Sequence, residues 1–191
     1  MPGRQAKILS EALIRRAQGA VRKRPTAPRD EAILLLSVRA GLRACEIAAL
    51  DWSMVTDANG RLGQTMVVED RIAKKRGGRR VPIHPELRQA LQRLSNAETS
   101  GPVIRSLRTG RTMRPNSIVN WFIALFLEIG AEGCSSHSGR RTFITHAARN
   151  AHRAGASLRD VQLLAGHRSI QVTQAYIDGD TDAQRRLVFR L

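Results

Sequence analysis

Apolar residues recur at helical spacing over most of the chain and predict a series of helices joined by short loops. Ser10 is a candidate N-cap for EALIRRAQGAV, and the polar segment 1–9 before it is predicted to be flexible. The run after Asp30, EAILLLSVRAGLRACEIAAL, is interrupted at Gly41. It therefore predicts two helices that meet at a turn, the second beginning two or three residues after the glycine.

Four later segments carry the same kind of pattern. PELRQALQRL predicts an amphipathic helix, whereas SIVNWFIALFLEIG is so apolar that it predicts a helix crossing the core. GRRTFITHAARNAHRAG predicts a helix that ends at Gly155. A capping box beginning at Ser157 then predicts a short helix that continues through Leu164.

The middle of the chain changes character between positions 51 and 83. β-Branched runs there are separated by Asn59-Gly60 and Gly77-Gly78, which are typical hairpin turn pairs, and Pro82 is suited to closing a strand. These features predict a small antiparallel sheet. The segment from Ser95 to Pro115 is expected to be irregular, so the predicted fold class is mixed α/β and mostly α-helical.

The net charge of the chain indicates which kind of molecule it binds. Thirty-two Lys and Arg against sixteen Asp and Glu give a net charge of +16, which points to a polyanion. The basic residues run along the whole chain, which favours nucleic acid over a membrane surface, and aromatic residues make up only 4%, which favours a duplex over stacked single strands. Cys45 and Cys134 form no metal-binding pattern, and no signal peptide or membrane span is evident, so a reduced, intracellular protein without zinc is expected.

Four stretches carry residues suited to phosphoryl transfer. In chain order they are GLRACEI from Gly41, the Lys74-Lys75 pair before Gly77, HSGRR from His137, and LAGHRSI with VTQAY, which ends at Tyr176. Their order and spacing resemble the boxes of the tyrosine recombinase, or phage integrase, family: G-L-R-x-x-E, a hairpin lysine, H-x-L-R-H and L-G-H-x-S-I-x-x-T-x-x-Y. The resemblance runs from about Ser10 to Tyr176 and implies the catalytic-domain fold of that family.

The first two stretches would supply a cation and a proton donor by this resemblance. Arg43 is implied as the first arginine that holds the scissile phosphate, and Glu46, one helical turn later, could hold that arginine in place. Lys74 lies eight residues before Pro82, as the family's lysine does, and is implied as the general acid for the leaving 5′ oxygen. Alternatively, Arg43 starts an ordinary helix and Lys74 belongs to a solvated basic turn.

The last two stretches would complete the site. His137 is implied as a proton acceptor near the nucleophile and Arg140 as the second arginine, while His167 would hydrogen-bond the phosphate or the attacking oxygen. Tyr176, the only tyrosine of the chain, is implied as the nucleophile that forms a covalent phosphotyrosine. The alternative for Tyr176 is an aromatic side chain that packs a helix onto the core.

The sequence departs from the family pattern at Gly139, which replaces a leucine, and at Arg141, which replaces a histidine. Neither is a central catalytic position, so the departures bear on local packing. Basic residues near the hairpin and in the irregular segment are expected to contact the DNA backbone rather than react: Lys75, Arg79, Arg80, Arg105, Arg108 and Arg111. The remaining histidines are expected to be surface or packing residues: His84, His146 and His152.

The resemblance also implies an assignment for the whole protein. Residues 10–178 would form the catalytic domain, and the tail 179–191, with apolar residues such as Val188 and Phe189, would dock on a neighbouring protomer or pack on its own domain. The family's N-terminal core-binding domain is expected to be missing. The expected activity is metal- and cofactor-free site-specific recombination by a homotetramer on double-stranded DNA in the cytoplasm, associated with the nucleoid. The alternative is a catalytically idle DNA-binding regulator that keeps the fold.

Overall fold

In a computed structural model, residues 6–73, 77–95, 99–176, 185, 188 and 189 are described. Within them, the helices and strands are α1 (Glu11–Arg22), α2 (Ala27–Val38), α3 (Ala44–Ala49), β1 (Thr65–Val68), β2 (Arg79–Pro82), α4 (Pro85–Leu94), α5 (Pro115–Glu128), α6 (Ser138–Asn150), α7 (Leu158–Ala165) and α8 (Ile170–Gln174). The predicted mixed fold, mostly helical with a small sheet, is confirmed. No helix in this part of the chain is long and apolar enough to cross a bilayer.

The helix starts follow from local capping. The Ser10 side chain accepts a hydrogen bond from the backbone N–H of Leu13, as predicted for the start of α1. The prediction of a flexible segment over 1–9 is wrong at Leu9, which is 1% exposed and donates its N–H to Thr142 Oγ1 of α6 at 2.8 Å. Burial of this leucine joins the N-terminal segment to the helix that carries His137 and Arg140. Residues 1–5 lie outside the described part.

Helix α2 is the centre of the core and packs against α1, α4 and α6. It begins at Ala27 and not at Asp30, because Pro28 fits the first turn of a helix, where its missing N–H costs nothing. Nine consecutive residues, 30–38, are buried. The predicted turn follows: Gly41 has a φ of +64° and α3 starts at Ala44.

The predicted antiparallel sheet is confirmed as a pair of strands. Thr65 of β1 lies opposite Pro82 of β2, and Val68 lies opposite Arg79. Because side chains alternate along a strand, Arg79 points to the buried face and Arg80 to the exposed one. Strand β2 ends at Pro82, as predicted.

Helix α5 differs from its prediction. Its buried residues are Ile118, Phe122, Leu125 and Phe126, but Ile123 is 53% exposed and Leu127 is 80% exposed. It lies on the surface and does not cross the core. Apolar side chains occupy both faces of this helix, so hydrophobicity alone overestimated its burial.

Candidate active site

Three parts of the chain meet around one open cleft: the turn before α3, the start of α6, and the segment from the end of α7 through α8. The cleft has a volume of about 830 Å³. It is lined by five of the six residues predicted to be catalytic: Arg43, His137, Arg140, His167 and Tyr176. The sixth, Lys74, and its neighbour Lys75 lie outside the described residues.

Arg43 is held by a carboxylate, as predicted. Arg43 is the N-cap residue of α3, where its backbone N–H donates to Glu46 Oε2 at 2.8 Å and its Nη1 donates to Oε1 at 2.8 Å. Arg79 reaches the same carboxylate from β2, with Nη1 at 3.0 Å from Oε1 and Nη2 at 2.9 Å from Oε2. Burial raises the pKa of Glu46, but the hydrogen bonds and charges of Arg79 and Arg43 outweigh burial and lower this pKa to about 2. Glu46 is therefore a carboxylate at neutral pH.

The expectation that Arg79 contacts the DNA backbone must be corrected. Its side chain is 2% exposed and its guanidinium faces Glu46, whereas Arg80 is exposed on the other face of β2. Strand alternation separates the two neighbours, so only Arg80 keeps the orientation that a backbone contact requires.

Arg140 is buried without a carboxylate. Nη1 donates to the carbonyl of Gly41 at 2.6 Å, and Nη2 donates to the carbonyl of Ala165 at 2.6 Å. Burial, together with the charges of Arg43 and Arg79, lowers the pKa of Arg140 to about 10. Arg140 is still a cation at neutral pH. In the described part of the chain it forms no salt bridge.

Two glycines allow α6 to bring Arg140 to these carbonyls. A Cβ at Gly139 would overlap the Ser37 side chain of α2, and a Cβ at Gly41 would overlap the Phe143 ring. The departure at Gly139 is thus explained by close packing of α6 against α2. A leucine there would push the helix, and Arg140 with it, away from the cleft.

His167 is fixed on both its ring and its backbone. Its Nε2 lies 3.2 Å from Arg140 Nη2, and its Nδ1 lies 3.0 Å from Thr173 Oγ1. Its backbone exchanges two hydrogen bonds with buried Gln162, of 3.1 Å and 2.9 Å. Burial and, after it, the charges of Arg140, Arg43 and Arg79 together lower the pKa of His167 to about 4. The ring is therefore neutral at pH 7.

Tyr176 lies against His167, with ring centroids 5.4 Å apart and planes inclined by 25°. It is half-buried against a small cluster formed by Ile144, Val161 and Ala165. His137 is an exposed residue at the N-terminal end of α6, with Nδ1 3.5 Å from Ser136 Oγ. The structure thus brings the imidazoles, the arginines and the phenol together in one cleft, where the tyrosine is partly exposed.

Several neighbours were missed by the sequence reasoning. Arg141 and Arg168 also line the cleft, although Arg141 was assigned to local packing only. Gln162 and Thr173, both buried, hold His167. For Thr173 the signal was present, because the threonine belongs to the quoted L-G-H-x-S-I-x-x-T pattern; for Gln162 no pattern marked the position. The described residues contain no cluster of three or more His, Cys, Asp or Glu side chains that could hold a metal ion.

Comparison with known proteins relates the chain to one family. The profile of the Phage integrase family matches residues 7–182. Tyrosine recombinase XerD of Vibrio cholerae serotype O1 is 32% identical over 98% of this chain and 62% of its own length. Tyrosine recombinase XerC of Pelobacter propionicus is 32% identical over 78% of this chain and 47% of its own length. The chain thus spans about half to three-fifths of these relatives.

Solved structures share the fold. The Tn1549 transposon integrase in complex with a circular intermediate DNA superposes with a TM-score of 0.76 at 20% identity, covering 100% of this chain and 67% of that one. The XerA recombinase superposes with a TM-score of 0.72 at 23% identity, covering 100% of this chain and 65% of that one.

Proposed function

The chain belongs to the phage integrase family of tyrosine recombinases, and on that premise we propose that it is a site-specific DNA recombinase that cuts and rejoins strands through a 3′-phosphotyrosine. The observation that carries this proposal is the meeting of Arg43, His137, Arg140, His167 and Tyr176 in one cleft. These residues come from separate segments, and packing of a tyrosine onto a core would not need the others beside it.

The proposed reaction uses Tyr176 as the nucleophile. Its oxygen forms a bond to the scissile phosphorus and gives up its proton to His137, while the bond from phosphorus to the 5′ oxygen breaks. The leaving oxygen takes a proton, which we assign to Lys74 on the basis of the family resemblance. The products are a 3′-phosphotyrosine and a free 5′ hydroxyl, and the reverse reaction rejoins a strand.

Arg140 is the best-prepared phosphate ligand of the cleft. A guanidinium has five N–H groups, and three of those on Arg140 are used by Gly41, Ala165 and His167. The second N–H of Nη1 and the N–H of Nε make no hydrogen bond among the described residues. Two donors of a buried cation thus remain for phosphate oxygens, and Arg43, which is partly exposed, would supply more.

The proposed partner is double-stranded DNA. The net charge of +16 supports this, and the Tn1549 integrase that shares the fold was solved with DNA. Arg80 on the exposed face of β2 is proposed as a backbone contact, together with Lys75. Arg105, Arg108 and Arg111 are proposed as backbone contacts of the irregular segment.

We further propose that four copies act together on DNA in the cytoplasm, and that residues 10–178 form the catalytic domain. In the tail, Val188 is 63% exposed and Phe189 is 74% exposed, which favours docking on a neighbouring protomer over packing on the same domain. The other apolar tail residues, Leu187 and Leu191, lie outside the described residues.

A nicked-duplex trapping assay tests the function. Nicked duplexes that tile the genomic DNA flanking the gene would be incubated with the protein, because loss of a short strand traps the covalent complex. We expect a denaturation-resistant protein–DNA adduct with the unsubstituted protein and none with Tyr176→Phe. If no duplex yields an adduct while the protein still binds DNA, the idle-regulator alternative replaces the recombinase.

A further inference from the structure

Thr173 is buried at 0% exposure beneath the cleft, on the short helix α8. Its Oγ1 lies 3.0 Å from His167 Nδ1, while the opposite ring nitrogen, Nε2, lies 3.2 Å from Arg140 Nη2. A neutral imidazole has one N–H and one lone pair, so the two contacts cannot be chosen independently. If one ring nitrogen is the acceptor in its contact, the other must be the donor in the second contact.

Arg140 disfavours a proton on the ring nitrogen that faces it. A guanidinium has N–H donors and no acceptor, so the nitrogen that faces it must present its lone pair. An Nε2–H would place two donors face to face at 3.2 Å. Nε2 is therefore the acceptor and Nδ1 carries the proton, which it donates to Thr173 Oγ1.

The doubly protonated ring meets the same obstacle. An imidazolium would again place an N–H of Nε2 against Arg140, and burial with the nearby cations Arg140, Arg43 and Arg79 lowers the pKa of His167 to about 4. The ring is neutral in the DNA-free protein at pH 7, and only its tautomer is left to be set.

We propose that Thr173 is a positioning residue that acts with Arg140: by accepting a hydrogen bond from Nδ1–H it stabilises this tautomer of His167 before DNA binds, so that Nε2 accepts a hydrogen bond from Arg140 and fixes the orientation of its guanidinium. His167 would then affect the phosphate indirectly, because it orients the guanidinium of Arg140 that binds the phosphate. With Nη2 held by Ala165 and His167, the plane of the guanidinium is fixed, and so is the direction of each remaining N–H group on Nη1 and Nε. The catalytic part of this proposal rests on the proposed function.

The tautomer can be read without DNA from the ¹⁵N chemical shifts of the histidine ring nitrogens. A spectrum of His167→Gln assigns the signal among the five histidines. In the unsubstituted protein we expect a protonated, pyrrole-type Nδ1 and a bare, pyridine-type Nε2 for His167. A pyrrole-type Nε2 would overturn the proposal, whatever the protein does to DNA.

Two substitutions separate positioning from packing. Thr173→Val keeps the shape and removes the hydroxyl. Because the buried Nδ1–H then lacks an acceptor, we expect a larger share of the Nε2–H tautomer than in the unsubstituted protein, with amide signals elsewhere unchanged. Thr173→Ser keeps the hydroxyl and should retain Nδ1–H. If valine leaves the tautomer as it is, or if serine loses it as fully as valine does, Thr173 does not set it.

The rate of adduct formation supplies the second measurement. Thr173→Val removes the hydrogen bond between Thr173 and His167, and we expect this loss to lower the rate of adduct formation roughly 2- to 10-fold. Thr173→Ser should keep most of the rate of the unsubstituted protein. An adduct that forms in the absence of an Nδ1–H tautomer contradicts the inference alone. An Nδ1–H tautomer in a protein that never forms an adduct contradicts the proposed function alone.

Discussion

Arg79 and Arg140 are both buried close to Arg43, but they are compensated in different ways. Arg79 makes a two-point ion pair with the fully buried carboxylate of Glu46. Arg140 is held by two backbone carbonyls and a neutral imidazole. One of these carbonyls, that of Ala165, lies at the C-terminal end of α7, where the helix dipole places partial negative charge.

This difference separates a structural arginine from one that is ready to bind an anion. Arg79 is paired with the carboxylate of Glu46, and its side chain does not line the cleft. The charge of Arg140 is stabilised by dipoles and not neutralised, and a phosphate would supply the missing anion. Arg79, which has a carboxylate partner, therefore stabilises the fold, whereas Arg140, which has none among the described residues, is available to bind an anion.

Arg79→Met should produce the largest effect, on stability. It leaves the Glu46 carboxylate buried with Arg43 as its remaining partner, and breaking a buried pair typically costs about 3–5 kcal/mol. Urea unfolding followed by circular dichroism measures the loss. The control is Arg79→Met with Glu46→Leu, which removes both charges and should recover part of the stability. A single variant as stable as the unsubstituted protein would contradict the structural role.

Arg140→Lys should instead affect strand cleavage. Lysine keeps the charge but cannot reach both carbonyls and a phosphate with one ammonium, and loss of a transition-state donor typically costs about 10²- to 10³-fold in rate. Single-turnover adduct formation on a trapped duplex measures it. Its unfolding free energy should fall less than that of Arg79→Met. The contrast between the two arginines fails if Arg140→Lys cleaves normally or unfolds as readily as Arg79→Met.

Features that depend on local chemistry could be predicted from the sequence. Helix starts at Ser10 and Ser157, the turn at Gly41 and the strand end at Pro82 depend on local chemistry, and all were predicted correctly. The five candidate catalytic residues that line the cleft were predicted through the family pattern, which encodes long-range contacts that no local rule supplies.

Contacts between distant segments were not predictable in this way. The pairing of Arg79 with Glu46 depends on which face of β2 meets α3, and the surface position of α5 depends on which of its two apolar faces meets α3. Both depend on how distant segments pack in the tertiary structure, which neither the charge of an arginine nor the hydrophobicity of a helix specifies.

Acid should weaken the ion pair selectively. The pKa of Glu46 is lowered from an ordinary 4.5 to about 2, so its contribution to stability is complete above pH 4.5 and is lost as the pH falls toward 2. The stability difference between the unsubstituted protein and Glu46→Gln should therefore shrink by roughly 1.4 kcal/mol between pH 6.5 and pH 3.5. Urea unfolding at both pH values tests this, and a constant difference would mean that the pair does not hold the carboxylate ionised.

Arg80→Ala should give the smallest effect and tests the opposite face of the same strand. Arg80 is exposed beside buried Arg79, so its removal should leave the unfolding free energy within about 0.5 kcal/mol. If Arg80 contacts a phosphate, the slope of log affinity against log salt concentration should fall by about 1. Fluorescence anisotropy with a labelled duplex at several salt concentrations measures the slope. An unchanged slope would remove Arg80 from the proposed DNA surface.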